Sequence, residues 1–422
     1  MTLHHFMREV DGRSARYHLR VEPDGAGLLL ANASAAVKLS PSGVVIARAL
    51  LAGVSAADTE KAVARAFRAA PRARVAEDVA RVRRILDELV TSRSRYPVRA
   101  FEPGGASAFS RALSAPLGAE VDGGGGDNMA AILDALWRAG VPQVVFRVLD
   151  PEAGAQATRW VERAEDLGFI AGARALAGGL GQLDDLAQAG LDHVDVFFAG
   201  ADAEQHDRVA GAGDFAAALA LFDQARHLDV CAVAWIPIVA DSLELLDGVA
   251  AAAQERGVEC LTLVPLVAAG PGAGDGAIAA RALRQAAALA EEVAEALDAA
   301  VTWAAPVERE PEIEFAEQLR AGPRSAGEAF IRVEADGRVM APTGPRSAAG
   351  NLLAEPWEAI WGRDVFRAFR EAVEDPPRCA TCPGLSACAA GCPADPSTWA
   401  RAGDRREPAP GDSRRGSGGE TR

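Results

Sequence analysis

Cys379, Cys382, Cys388 and Cys392 stand together in "CATCPGLSACAAGC", separated by two, five and three residues. A Cys-x2-Cys pair on a tight turn directs two thiolates to one centre, and the later pair can close on it from the other side. Pro383, Gly384, Gly391 and Pro393 supply the sharp turns of such a wrap. Four thiolates satisfy tetrahedral zinc or a cubane iron–sulfur cluster, and spacing alone does not choose between them. The competing reading is a chance group of free or regulatory thiols, but in a reducing compartment a compact quartet is more often a metal site. Cys231 and Cys260 fall inside apolar, strand-like runs and read as buried, inert thiols.

A chain of 422 residues exceeds one compact core and predicts two or three domains. The net charge of −15 argues against a general affinity for nucleic acid or an anionic membrane. No apolar run reaches about 18 residues and the opening "MTLHHFMREVDGRSARYH" has no apolar h-region, so a cytoplasmic protein is expected, with no membrane partner.

The elements that must position these residues fall into blocks. "RYHLRVE", "GLLLAN" and "AAVKLS" read as short strands; three helices follow, opened by Ser40-Pro41, by Ser55 with Asp58, and near Val75. This is an α+β, winged-helix-like module over 1–95, followed by a linker over 96–115. From 116 to 305, apolar runs ("PLGAEV", "PQVVFRV", "FIAGAR", "HVDVFFA", "DVCAVAWIPIV", "ECLTLVPLV") alternate with helical stretches. Runs without polar alternation suit strands buried on both faces of a parallel sheet, so six βα units predict a partial (βα)6-type barrel. Its ligands would sit at the carboxyl ends of the strands. Residues 306–400 carry a hairpin signal at Asp336-Gly337, an amphipathic stretch and the cysteines; 401–422 reads as a disordered tail.

This order of pieces resembles the radical S-adenosylmethionine (SAM) enzymes with SPASM domains, which modify ribosomally made peptides. The front stretch "LSPSGVVIARALLAGVSAADTEKAV", with "VAEDVARVRRILDEL" as its last helix, resembles the PqqD-like peptide chaperone of PQQ synthesis. That resemblance implies binding of a precursor's leader by strand addition to a sheet edge. "GRVMAP", "AGNLLAEPWEAIW" and the cysteine loop resemble the SPASM part, and "ADAEQHDRVAGAGDFAAAL" the barrel; the likeness spans about 16–395.

The departures concern one site. The family's Cys-x3-Cys-x2-Cys loop after the first barrel strand is replaced by "DGGGGDN", which has no cysteine. The Gly-Gly-Glu-Pro-like turn after the second strand is "VLDP", with Val148, Leu149 and Asp150 at the glycines and glutamate, and Phe197 and Ala199 replace the polar pair of the fourth strand. Val148, Leu149 and Phe197 make either an apolar pocket or a filled core. Two further cysteines of the family's C-terminal domain are replaced near Arg324 and Pro342, and none follows Cys392, so the quartet has one centre to serve. Gly123 to Gly126 reads as an anion nest or the scar of a lost loop. His206-Asp207 reads as a surface loop or a proton-transfer pair.

The expectation is a degenerate radical-SAM/SPASM-like pseudoenzyme of a peptide maturation system. It would bind a precursor peptide and one 4Fe-4S cluster (alternatively zinc) without cleaving SAM, and serve a partner modifying enzyme. The alternatives are an iron–sulfur oxidoreductase using that single cluster, and a winged-helix DNA-binding regulator. The last draws on residues 61–95, where ten basic residues face four acidic ones. Those bases equally suit an acidic leader or a solvated helix face.

Overall fold

Alternation in "RSARYHLRV" decides how the molecule begins. The computed structural model describes residues 1–367 except 11–12, 33–34, 68–70, 92–113, 124–125, 149–150, 176–182, 259, 269–275, 280–281, 298–299, 305–306, 311, 323–329 and 342–347. The cysteine quartet, the tail, most of the expected linker, and Leu149, Asp150, Arg324 and Pro342 lie outside these residues. Strands β1 (Thr2–Val10), β2 (Arg13–Val21), β3 (Gly27–Ala31) and β4 (Ala35–Leu39) form one antiparallel sheet in that order. The sequence predicts three of them. β1 is additional: "TLHHFMREV" lacks clean alternation, and continuous pairing with β2, from Thr2↔Val21 to Val10↔Arg13, makes it a strand.

Helices α1 (Pro41–Leu51), α2 (Ala56–Ala66) and α3 (Arg72–Thr91) cover one face of that sheet. Their starts follow the capping chemistry: Ser40 Oγ accepts from Gly43 N at 3.2 Å, and Ser55 Oγ from Asp58 N at 3.1 Å. Ala15, Tyr17 and Leu19 of β2 pack with Leu29, Val44, Val79 and Leu86. The alternate set, Arg16, His18 and Arg20, is also buried and faces the second part of the molecule. The sheet is thus covered on both sides.

That second part runs β5 (Gly118–Asp122), α4 (Met129–Arg138), β6 (Gln143–Val148), α5 (Pro151–Leu167), β7 (Ile170–Ala175), α6 (Leu183–Gln188), β8 (His193–Phe197), α7 (Ala203–Ala210), α8 (Asp214–His227), β9 (Cys231–Ile238), α9 (Leu246–Glu255) and β10 (Cys260–Ala268). β5 to β10 lie side by side in chain order, all parallel, as six βα units require. Beyond β10 come β11 (Ile278–Ala279), α10 (Leu283–Ala296), β12 (Ala300–Trp303) and β13 (Val307–Glu308), whose strands all pair with β10. After α11 (Phe315–Ala321), β14 (Phe330–Val333) returns to pair in parallel with β5, and β15 (Arg338–Met340), β16 (Ala348–Asn351) and α12 (Trp357–Trp361) follow. The hairpin of β14 and β15 forms where Asp336-Gly337 predicts it, with Gly337 at φ 85°.

The outward side chains, among them Val121, Val144, Phe146, Ala173, Val194 and Val196, pack under the helices in the main core. Each such aliphatic or aromatic side chain contributes about 1.5–3 kcal/mol of burial. The inward side chains correct the sequence reading. The strands are buried on both faces, but the inner face of half of them is charged.

Candidate functional site

Side chains of a strand alternate faces, so each barrel strand sends every second residue inward. The register places Arg332, Glu120, Val145, Gly172 and His193 on one level. Asp122, Arg147, Arg174 and Asp195 share the next. Arg174 grips Glu120 bidentately, Nη1 to Oε2 at 2.9 Å and Nη2 to Oε1 at 2.7 Å. Its Nε and Nη2 also reach Asp195 Oδ2 at 3.4 and 3.3 Å. Arg147 bonds Asp122 through Nη1, and Arg332 lies 3.9 Å from Glu120.

His193 extends the chain. The amide nitrogen of Gln143 lies 3.2 Å from its Nε2 and can only donate. The proton therefore sits on Nδ1, which donates to Asp195 Oδ1 at 3.1 Å. Gly172 is fixed by this ring, since a Cβ there would stand 2.0 Å from it. Three arginines thus meet three carboxylates, with Arg174 and Arg332 each 3% exposed, Asp195 fully buried and Asp122 partly exposed. Burial, helped by neighbouring Arg147, pushes Arg332 down to about 9, still charged at neutral pH.

The other half of the inner face is apolar. Phe197, Ala199, Trp235, Val264 and Leu266 form a cluster with Leu319 of α11. The Arg174 guanidinium lies 3.6 Å over the Trp235 ring and joins the two halves. The end of α11 spans the opening between the sheet's separated strands. Ala321 O accepts from Arg332 of β14 at 2.5 Å. Gly322, at φ +62°, abuts Trp235 of β9 so closely that a Cβ would stand 2.3 Å from the ring. Gln318 anchors the helix: its amide donates to Glu308 O at 2.6 Å, while its Oε1 accepts from Glu310 N at 3.1 Å and Arg309 Nη1 at 2.9 Å.

The residues singled out in the sequence fall around this interior. Val148 is 1% exposed and belongs to the outer core, while Phe197 and Ala199 face inward and are packed. Gly123 donates to Arg147 O at 2.9 Å, and α4 starts at Asn128 without a side-chain cap. His206 is not a surface residue. It is fully buried, its Nδ1 accepting from Ala199 N at 3.1 Å and its Nε2 3.0 Å from Asp214. Asp207 accepts from Gly213 N and Phe215 N, so this pair pins the turn between α7 and α8. Cys260 is 4% exposed as expected, whereas Cys231, at the start of β9, is only half-buried. Among the described residues, no group of three or more His, Cys, Asp or Glu side chains could hold a metal ion. Also among them, no helix is long and apolar enough to cross a membrane.

The charged network is what sequence reasoning missed. Its signal is legible afterwards: "GAEVD", "QVVFRV", "IAGARA", "HVDVF" and "FIRV" each carry a charge among small or apolar residues. A charge inside a doubly buried strand must find a partner on the neighbouring strands.

The N-terminal sheet docks at the opposite end, on the loops entering the barrel strands. Arg16 bonds Glu165 at 2.8 Å, and Arg20 donates to Ala115 O at 2.9 Å and Gly140 O at 3.3 Å. His18 Nε2 donates to Gly168 O at 2.7 Å. His18 is fully buried, stacked on His5 with ring centroids 5.2 Å apart, and burial pushes its pKa down to about 3. On the far side, Arg72, Arg74, Arg81, Arg83 and Arg84 of α3 are exposed.

No family model matches the sequence, and no curated protein matches it. Among solved structures, SuiB of Streptococcus suis bound to S-adenosylmethionine aligns with a TM-score of 0.54 at 13% identity, over 89% of this chain and 94% of SuiB. SuiB bound to its precursor peptide SuiA aligns at 0.54 and 11% identity, over 92% and 95% of the two chains. At these identities the likeness is one of fold.

Proposed function

We propose that this chain is a peptide-binding protein on a barrel scaffold that has exchanged its cofactor site for an internal core. SuiB, whose fold it shares, was solved both with S-adenosylmethionine and with a precursor peptide. The barrel interior here does not suit the first of these ligands. Its donors are carboxylates held by arginines, the loop after β5 has no thiolate for an iron cubane, and α11 spans the opening. The observation that carries the reading is the Arg174–Glu120–Asp195 network against Trp235, closed by Ala321 and Gly322.

The N-terminal module would take the precursor's leader by strand addition. The β4 edge lies beside α3, whose exposed arginines favour an acidic leader. Cys379, Cys382, Cys388 and Cys392 would hold one metal centre, 4Fe-4S in the leading reading and zinc in the other. The protein would then present the peptide to an active partner enzyme. The test is a reductive turnover assay on anaerobically purified full-length protein, with metal analysis. The reading expects no 5′-deoxyadenosine and one metal centre per chain, lost in Cys382→Ala. Formation of 5′-deoxyadenosine overturns it.

A further inference from the structure

We propose that the outer edge of β1 is a self-association edge, through which two copies of this protein pair antiparallel about a two-fold axis at Met7. β1 ends the sheet order and has no strand on its outer side among the described residues. It is nine residues long, pairs with β2 without a bulge, and contains neither proline nor lysine. Bulges, proline and lysine are among the devices that blunt an exposed edge; of charged residues this strand has Arg8 and Glu9 alone, and the edge is open to strand addition. Met7 is 51% exposed, more than any other large apolar side chain among the described residues.

The strand's own sequence selects its partner and register. In an antiparallel pair about Met7, Glu9 lies opposite His5 of the second copy on the barrel-facing side. Arg8 lies opposite Phe6 on the helix-facing side. The sides follow from Phe6 opposing Tyr17, which packs under the helices, and from His5 opposing His18, which faces the barrel. The cation–aromatic pair of Arg8 with Phe6, made twice about the axis, is stabilising across strands. Centring the pair on Phe6 instead sets His4 against Arg8, which removes the Arg8–Phe6 pairing, and leaves Met7 opposite His5. Only the Met7 register lets the exposed thioether cover itself. A heterologous peptide would need acidic and apolar residues in a matching order, which the second copy already provides. The contact is one strand pair, well below a standard interface, so the dimer is weak and concentration-dependent, on the order of 10 µM.

The proposal is independent of the peptide-binding reading, because it concerns the opposite edge of the sheet and needs no ligand. Sedimentation equilibrium of the full chain over about 1–200 µM should show a monomer–dimer equilibrium. Met7→Lys places two like charges on the axis and should weaken association tenfold or more. Met7→Cys should give an intermolecular disulfide under mild oxidation, found by peptide mass as a symmetric position-7 link, whereas Leu353→Cys, also at an exposed site, should not. Far-UV circular dichroism on both Met7 variants checks the fold, which an exposed position should leave intact. A wild-type monomer throughout the range, a dimer indifferent to Met7→Lys, or no position-7 link overturns the proposal.

Discussion

The two sides of this molecule treat charge in opposite ways. Inside the barrel, Arg147, Arg174 and Arg332 are buried and held against Glu120, Asp122 and Asp195, with α11 across the opening. On the N-terminal module the arginines of α3 are exposed, and β1 and β4 are the edge strands of its sheet. Buried charge is costly to disturb and slow to exchange partners, whereas exposed charge on an open edge attracts and releases ligands. Under the proposed function, ligand binding belongs to the exposed module and not to the barrel interior.

The largest effect should come from breaking the barrel network on one side only. Arg174→Ala leaves Glu120 and Asp195 buried beside Trp235 and should cost about 3–5 kcal/mol in urea unfolding. Exchanging Arg174 and Glu120 together for Met and Leu should restore only the part of that loss due to Glu120, because Asp195 stays buried without its arginine.

Next comes the joint between the two regions. His18 is held neutral by burial, down to about 3, and His5 is lowered for the same first cause. Below the ordinary histidine value of 6.5 the unfolded chain binds protons that the folded chain refuses. Stability should therefore fall as pH drops from 6.5 to about 3, by about 1.4 kcal/mol per unit for His18, with His5 acting in the same direction. Unfolding midpoints at neutral and mildly acid pH measure this. His18→Gln, which can still donate to Gly168, should flatten the slope by about one proton.

Smaller effects sharpen the contrast. Tyr17→Phe removes the hydroxyl bond to Leu86 O at 2.8 Å and should cost about 1 kcal/mol in unfolding free energy. Arg81→Glu on exposed α3 should change stability by less than about 0.5 kcal/mol. The same substitution should weaken leader binding, read by fluorescence anisotropy, since attraction at a rim acts chiefly on encounter.

Much of the scaffold was legible in the chain. The alternating apolar runs located β5 to β10, and Ser40-Pro41, Ser55 and Asp336-Gly337 marked element ends that the structure reproduces. β1 escaped because two histidines and an Arg-Glu pair hide its alternation, which only pairing with β2 enforces. The return of β14 to β5 escaped because it depends on contacts distant in sequence, whereas α7 carries local signals in the Asp202 cap and Gly211. The absence of cysteines after β5 and the apolar Phe197 could be read directly. The charged interior could not, since Glu120, Arg147, Arg174, Asp195 and Arg332 lie on different strands and become a network only through register.

Calorimetric titration of the anaerobically purified full-length protein with S-adenosylmethionine tests the central claim most directly. An interior filled by Arg174, Trp235 and the end of α11 predicts no binding heat and no shift in melting temperature at millimolar ligand. Saturable one-to-one binding in the micromolar range, lost on substitution of an inward-facing barrel residue, would contradict it.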